Sequence, residues 1–331
     1  MAAKTRARLY TYLFRRRFKG IYNDIRRPEM RLKITALISV IILMLVSCTG
    51  QTTTGPAVET DREGNAITIP GRIEKIISMG PSNTEVLTAL GAADKIIAID
   101  EYSAGISGVP SGIPMFDMLA PDGERIIALE PDAIFVTGMS KVEGADFFKP
   151  VTDVGVCVMY IPSSNSLDGI KEDIRFIAAV MGMVQAGDDL IDGMNSEINA
   201  IREAAAGITD RKTVYFEISA APYMYSFGTG TFLNEMIEII GGVNIFADQN
   251  SWISVSDEAV PQANPDVILT SVDYIDNPAG EIMSRPGWNE VTAIKNGDVY
   301  TVDANASNRP SHNVVIALRQ MAVAVYPDIF Q

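Results

Sequence analysis

Two stretches of this 331-residue chain, 134 positions apart, present residues in the same order: DGERIIALEPDAIFVTG (122–138) and SDEAVPQANPDVILTSV (256–272). Each begins with a residue suited to capping a helix, Asp122 or Ser256, and carries a glutamate two positions on, Glu124 or Glu258. A Pro-Asp pair follows, Pro131-Asp132 or Pro265-Asp266, and then an apolar run. Proline ends the helix and the apolar run reads as a buried strand, so each stretch is a short helix, a break and a strand. One such unit is a common local solution. Two in one chain predict two similar α/β lobes.

The remainder fits that expectation. NAITIP (65–70) reads as a short strand after a Gly-Asn turn, and KIISMG (75–80) as a buried one. SNTEVLTALG (82–91) reads as a helix with Ser82 and Glu85 as a capping box and Gly91 as its stop. KIIAID, IPMF and VCVMYI supply further strands, with a helix near 141–155. Residues 166–207 have helical periodicity without proline. Gly182 permits a break, leaving a second helix over 184–206, about 35 Å long at ~1.5 Å per residue. Strand–helix alternation then resumes with TVYFEIS, TFLNEMIEIIGG, the second unit, DVYTVD and a closing helix at 311–326. The expected fold class is α/β, with two lobes that each hold a mostly parallel sheet flanked by helices, joined by one long interlobe helix. The expected boundaries are 59–165, 166–207 and 208–331, with a cleft where loops at the carboxyl ends of the strands converge.

The head is different. Of 27 Lys and Arg, eleven lie in residues 1–35 with only Asp24 and Glu29, leaving 16 basic against 39 acidic residues for the rest. A body that acidic repels phosphate backbones, which argues against nucleic-acid partners. MRLKITALISVIILMLVSCTG (30–50) has a basic start and a short apolar run ending at Cys48, the pattern of a secretory signal. Leu45-Val46-Ser47-Cys48 resembles a lipobox, which implies cleavage before Cys48, lipidation of its sulfur and an extracytoplasmic protein anchored to the membrane. A plain N-terminal anchor helix is the alternative. Residues 1–29 read as an over-extended start or a basic tail, and 49–58 as a flexible tether. With Cys48 lipidated only Cys157 remains, inside an apolar run, and it reads as a buried strand residue.

Several motifs in order, TDREGNAITIP, RIEKIISMGPSNTEVLTALG, ERIIALEPDAIF, FLNEMIEIIGGVNIF, SRPGWNEVTAIKNGDVYTVD and YPDIF, are similar to those of one family across residues 58–331. It is the substrate-binding proteins of iron-siderophore, haem and vitamin B12 ABC importers. The resemblance implies a ligand held between two lobes, modest closure, and one glutamate per lobe that contacts arginines of the permease dimer. By motif these fall on Glu124 and Glu258. Acidic residues are also favoured at helix starts by the macrodipole, by ~0.3–1 kcal/mol each. Glu85 and Glu235, also near helix starts, are assigned to capping and solubility.

Loops after strands carry Tyr102, Met115, Phe116, Met139, Tyr223, Tyr225, Trp252 and Tyr274. Broad aromatic and thioether faces suit a bulky planar or chelate ligand better than a sugar or amino acid. Trp288, in SRPGWNEV, reads as structural. Cations near these loops are few, Arg309 and Lys141, which disfavours a highly anionic siderophore and leaves corrinoids, haem and neutral chelates. The single histidine, His312, is either an axial ligand to chelated metal or a cap of the last helix. No His, Cys or carboxylate spacing suits a bare metal ion, and no resident cofactor is expected. The expected function is a monomeric, lipid-anchored receptor that delivers a metal chelate to an ABC permease and its ATPase. A ligand-sensing ectodomain and a metallocofactor enzyme on the same fold are the rivals. One histidine, no phosphate loop and no cluster cysteines argue against the enzyme.

Overall fold

A computed structural model of the chain describes residues 58–330 except 143 and 144. The signal segment, Cys48 and nearly all of the tether lie outside the described residues. The first lobe contains β1 (Ile76–Met79), α1 (Pro81–Ala89), β2 (Ile96–Asp100), β3 (Met115–Phe116), α2 (Gly123–Ala128), β4 (Ala133–Thr137), an antiparallel pair β5 (Lys141–Val142) and β6 (Ala145–Asp146), α3 (Lys149–Asp153) and β7 (Cys157–Ile161). Its sheet is parallel in the order β3-β2-β1-β4-β7. Helices cover both faces, so β1, β4 and β7 are buried at every position, which is why they read as unbroken apolar runs.

Two helices follow, α4 (Leu167–Val180) and α5 (Val184–Ala205), broken at Gly182, whose φ is +67°. The 22 residues of α5 span about 33 Å. They pack against each other closely: a Cβ on Gly187 would lie 2.4 Å from that of Ala178, so only glycine permits this approach. The second lobe contains β8 (Thr213–Glu217), β9 (Tyr225–Phe227), α6 (Phe232–Ile239), β10 (Val243–Asn244), β11 (Trp252–Ser254), α7 (Ala259–Ala263), β12 (Val267–Thr270), α8 (Pro278–Met283), α9 (Thr292–Asn296), β13 (Val299–Thr301), α10 (Ala304–Asn308) and α11 (Val314–Val325). Its parallel sheet runs β10-β8-β12-β13, with β9 and β11 paired antiparallel beside it.

One apolar core runs from the first sheet through α4 and α5 to the second, joining Ile76 and Phe135 with Ile174, Ile191, Met194 and Ile198, and on to Phe216, Met236 and Met321. The lobes thus share packed interior along one side, and α5 is the spar within it. A close-packed interior resists deformation, so opening is confined to the side away from this core.

The duplication extends to backbone detail. Glu130 and Asn264, each just before the repeated proline, have φ of 50° and 49°. Asp132 accepts from the Glu74 and Lys75 amides at 2.7 and 2.9 Å, and Asp266 from the Thr213 amide and hydroxyl at 2.8 and 2.7 Å. The repeated aspartate clamps the entry of the neighbouring central strand.

Four local expectations give way. NAITIP forms only an isolated bridge between Thr60 and Ala66, because buried Asp61 curls the segment by accepting from the amides of Glu63, Asn65 and Tyr160. Ser82 lies inside α1, whose N-cap is Gly80, so there is no capping box. Ser256 makes no side-chain cap either, since α7 starts after Glu258, whereas Asp122 caps α2 through the Arg125 amide. Glu235 caps a different helix from its own: its carboxylate accepts from Leu167 N at 2.9 Å, at the start of α4.

Candidate functional site

The strand order of the first lobe reverses between β1 and β4, and a crevice opens outside the carboxyl ends of such strands. A cavity of about 290 Å³ lies there. Pro81 and Ser82 follow β1, Tyr102 follows β2, Met118 and Leu119 follow β3, and Thr137 and Met139 end β4. Asn308, Arg309 and Pro310 close it from the second lobe, so the cavity lies between the lobes.

Of the predicted cleft residues, Tyr102, Met139 and Arg309 meet at this cavity. Tyr223, Tyr225, Trp252 and Tyr274 form an exposed group on the second lobe. Tyr225 pairs with Ser254 across β9 and β11, two residues from Trp252, and the Trp252 ring stands edge-on to Phe227 and Phe232. The Tyr274 hydroxyl accepts from the Ala220 amide at 2.9 Å, tying two loops of the second lobe together. Tyr223 is the most open, 83% exposed.

Phe116 is a correction. It is 3% exposed, packed in a first-lobe core cluster, with the Arg125 guanidinium 5.1 Å from its ring centre, while its neighbour Met115 is the exposed one. Successive strand residues face opposite ways, so only one of the pair can face out. The Lys141 side chain lies outside the described residues.

Arg309 is not free. Its guanidinium donates to Glu85 at 2.9 Å and to the Tyr102 carbonyl at 3.1 Å. Glu85, 6% exposed, also accepts from Ser311 at 2.5 Å and Asn313 at 3.0 Å. The carboxylate assigned to capping is therefore the anchor between lobes. Nothing in the neighbouring sequence distinguishes it from a surface glutamate, because its partners are more than 220 positions away.

Beneath Tyr102, buried Asp100 accepts from the amides of Tyr102 and Ser103 and from the Ser103 hydroxyl. Ser103, Thr84 and Ser78 continue the chain through hydroxyls 2.8 Å apart. Burial pushes the Asp100 pKa up against these hydrogen bonds. This network fixes the turn that presents Tyr102.

His312 neither caps the last helix, whose N-cap is Asn313, nor reaches the aromatic cavity. It lines a second space of about 470 Å³ with Glu85 and Asn305 and, like Asn83 and Ser140, holds a buried side-chain polar atom, here Nδ1, without a hydrogen-bond partner. Burial pushes its pKa down, opposed by Glu85. Among the described residues no three His, Cys, Asp or Glu side chains cluster to hold a metal ion. Cys157 is buried in β7, and burial, with Asp61 nearby, pushes its thiol to about 11, as befits an inert strand residue.

Glu124 and Glu258 are both exposed and make no ion pair with other described residues. Each stands at the start of the short helix, α2 or α7, that precedes β4 or β12 in the chain. Trp288 is buried, as expected of a structural residue. Among the described residues no helix is long and apolar enough to cross a membrane.

A family model described as periplasmic binding protein matches residues 76–306. The chain is 32% identical over 281 residues to the uncharacterized ABC transporter substrate-binding lipoprotein YvrC of Bacillus subtilis, covering 83% of this chain and 87% of that one. The crystal structure of a possible iron-binding (periplasmic solute-binding) protein from Staphylococcus epidermidis superposes with a TM-score of 0.69 at 27% identity, covering 77% of this chain and 99% of that one. The periplasmic vitamin B12 binding protein BtuF of Vibrio cholerae gives 0.65 at 25% identity, covering 78% and 99%.

Proposed function

The chain belongs to the periplasmic binding protein family, and from that premise we propose that it captures a corrinoid between its lobes and hands it to an ABC permease. It is a substrate-binding protein of an ABC importer and not an enzyme.

One observation carries the choice of ligand. Arg309, a cation at the interlobe cavity, is neutralised by Glu85, while Tyr102 and Met139 line that cavity and Tyr223, Tyr225, Trp252 and Tyr274 are exposed on the second lobe. A broad, largely uncharged macrocycle with amide side chains meets those surfaces well. A highly anionic siderophore would need a guanidinium that is already paired. The vitamin B12 binding protein of Vibrio cholerae, with the same fold, agrees with this reading.

In the same reading Cys48 carries the lipid that holds a monomeric receptor at the outer face of the membrane, and the chelate is cargo, not a resident cofactor. Glu124 and Glu258 contact cationic residues of the permease dimer, one from each lobe. Haem is the second reading, favoured by the open Tyr223 phenol as an axial ligand to iron.

Absorption spectra of protein purified from its native host, with titrations of Trp252 fluorescence, test the ligand. Cyanocobalamin should quench saturably, and Trp252→Phe should remove most of that signal. Tight haem binding with a shifted Soret band and no response to cyanocobalamin would replace the corrinoid by haem.

A further inference from the structure

The two exposed glutamates are held in different ways. In the first lobe α2 carries its own cap, Asp122, which accepts from the Arg125 amide at 3.1 Å. In the second lobe Glu258 occupies the N-cap position itself, with no side-chain cap bond, at the start of a helix of only five residues. Such a short helix does not fix its own first turn.

Something else fixes the preceding residue. The indole Nε1–H of Trp288 donates to the Asp257 carbonyl at 3.1 Å. Trp288 is 2% exposed, with the Arg285 guanidinium 4.8 Å from its ring centre and Tyr215 edge-on at 6.2 Å. Arg285 makes two bonds to Glu217, at 2.6 and 2.8 Å, and also binds Glu281 and the Met224 sulfur. Burial works against the Arg285 charge, but the bonds to Glu217 and Glu281 outweigh it and push its pKa up, so the guanidinium stays charged. Glu217 is the last residue of β8, a central strand of the sheet. A buried chain therefore runs from that strand through Glu217, Arg285 and Trp288 to the carbonyl next to Glu258.

We propose that Trp288 is a positioning residue for Glu258: its indole N–H on the Asp257 carbonyl pins the backbone just before a helix that has no side-chain cap and sets where the second-lobe carboxylate meets the permease. The proposal rests on the reading of Glu258 as a docking residue.

The test measures binding of the full-length, unloaded receptor to its permease in nanodiscs. Trp288→Phe keeps an aromatic ring and removes the donor, and should weaken binding roughly five-fold, the scale of one hydrogen bond. Because Trp288 acts through Glu258, the substitution should add nothing to Glu258→Ala but its full effect to Glu124→Ala in the other lobe. An equal effect in both backgrounds, or none in the wild type, overturns the positioning role. If Glu258→Ala alone leaves binding unchanged, the docking reading itself falls, and the proposal with it. Should Trp288→Phe fail to fold, Asp257→Gly loosens the same carbonyl from an exposed position and must show the same dependence on Glu258.

Discussion

Glu85 and Arg309, 224 positions apart in sequence, lie 2.9 Å apart across the two lobes. The pair removes the charge of a cleft cation and ties the loop before the last helix to the helix after β1, with Ser311 and Asn313 donating to the same carboxylate.

Removing one partner of a largely buried ion pair leaves the other uncompensated. Glu85→Ala should cost roughly 3 kcal/mol of stability. Glu85→Gln, which can still accept from Ser311 and Asn313, should cost less. Thermal unfolding of both variants checks this. Equal losses would show that the missing charge opposite Arg309, and not the loop's hydrogen bonds, sets the cost.

Asp132 and Asp266 should be energetic equivalents, since each clamps the entry of a central strand with two hydrogen bonds. Alanine at either should cost roughly 1 to 2 kcal/mol, a fall of several degrees in Tm. A cost at one site several times that at the other would break the equivalence of the two lobes.

Glu124→Ala together with Glu258→Ala should abolish uptake of cyanocobalamin in cells while equilibrium binding to the purified receptor is unchanged. Both side chains are exposed and neither lines the interlobe cavity. A large loss of ligand affinity would contradict the docking role.

His312 should make the fold acid-sensitive. Burial depresses its pKa in the folded state, Glu85 opposing, so below about pH 6.5 the unfolded chain binds the proton more readily. Stability is therefore lost as pH falls from 7 toward the folded value. Arg309, beside it in the same loop, and Asp303 and Glu85, which line the same space, hold the surrounding charge. Asp100 and Asp173 act in the opposite sense. Their pKa values are raised, mainly by burial, so they lose stability as pH rises above about 4. Comparing Tm at pH 7 and pH 5 isolates the histidine: His312→Asn should shrink the acid loss, and an unchanged difference would remove His312 as its source.

By itself the sequence determined the alternation of strands and helices, the duplicated unit, the break at Gly182 and the long α5. These follow from periodicity, caps and breakers, which act within a few residues. It also marked the loops that carry the exposed aromatics, because loops after parallel strands must converge at one edge. Tertiary structure alone decided which polar groups meet. Glu85 became an interlobe anchor instead of a cap, and Glu235 caps α4 from the adjacent α6. Phe116 turned inward while Met115 turned out. In the same way, Trp288 reached the carbonyl beside Glu258. Each outcome depends on which element packs against which, and a buried polar group must find its partner wherever packing places it, however far away along the chain.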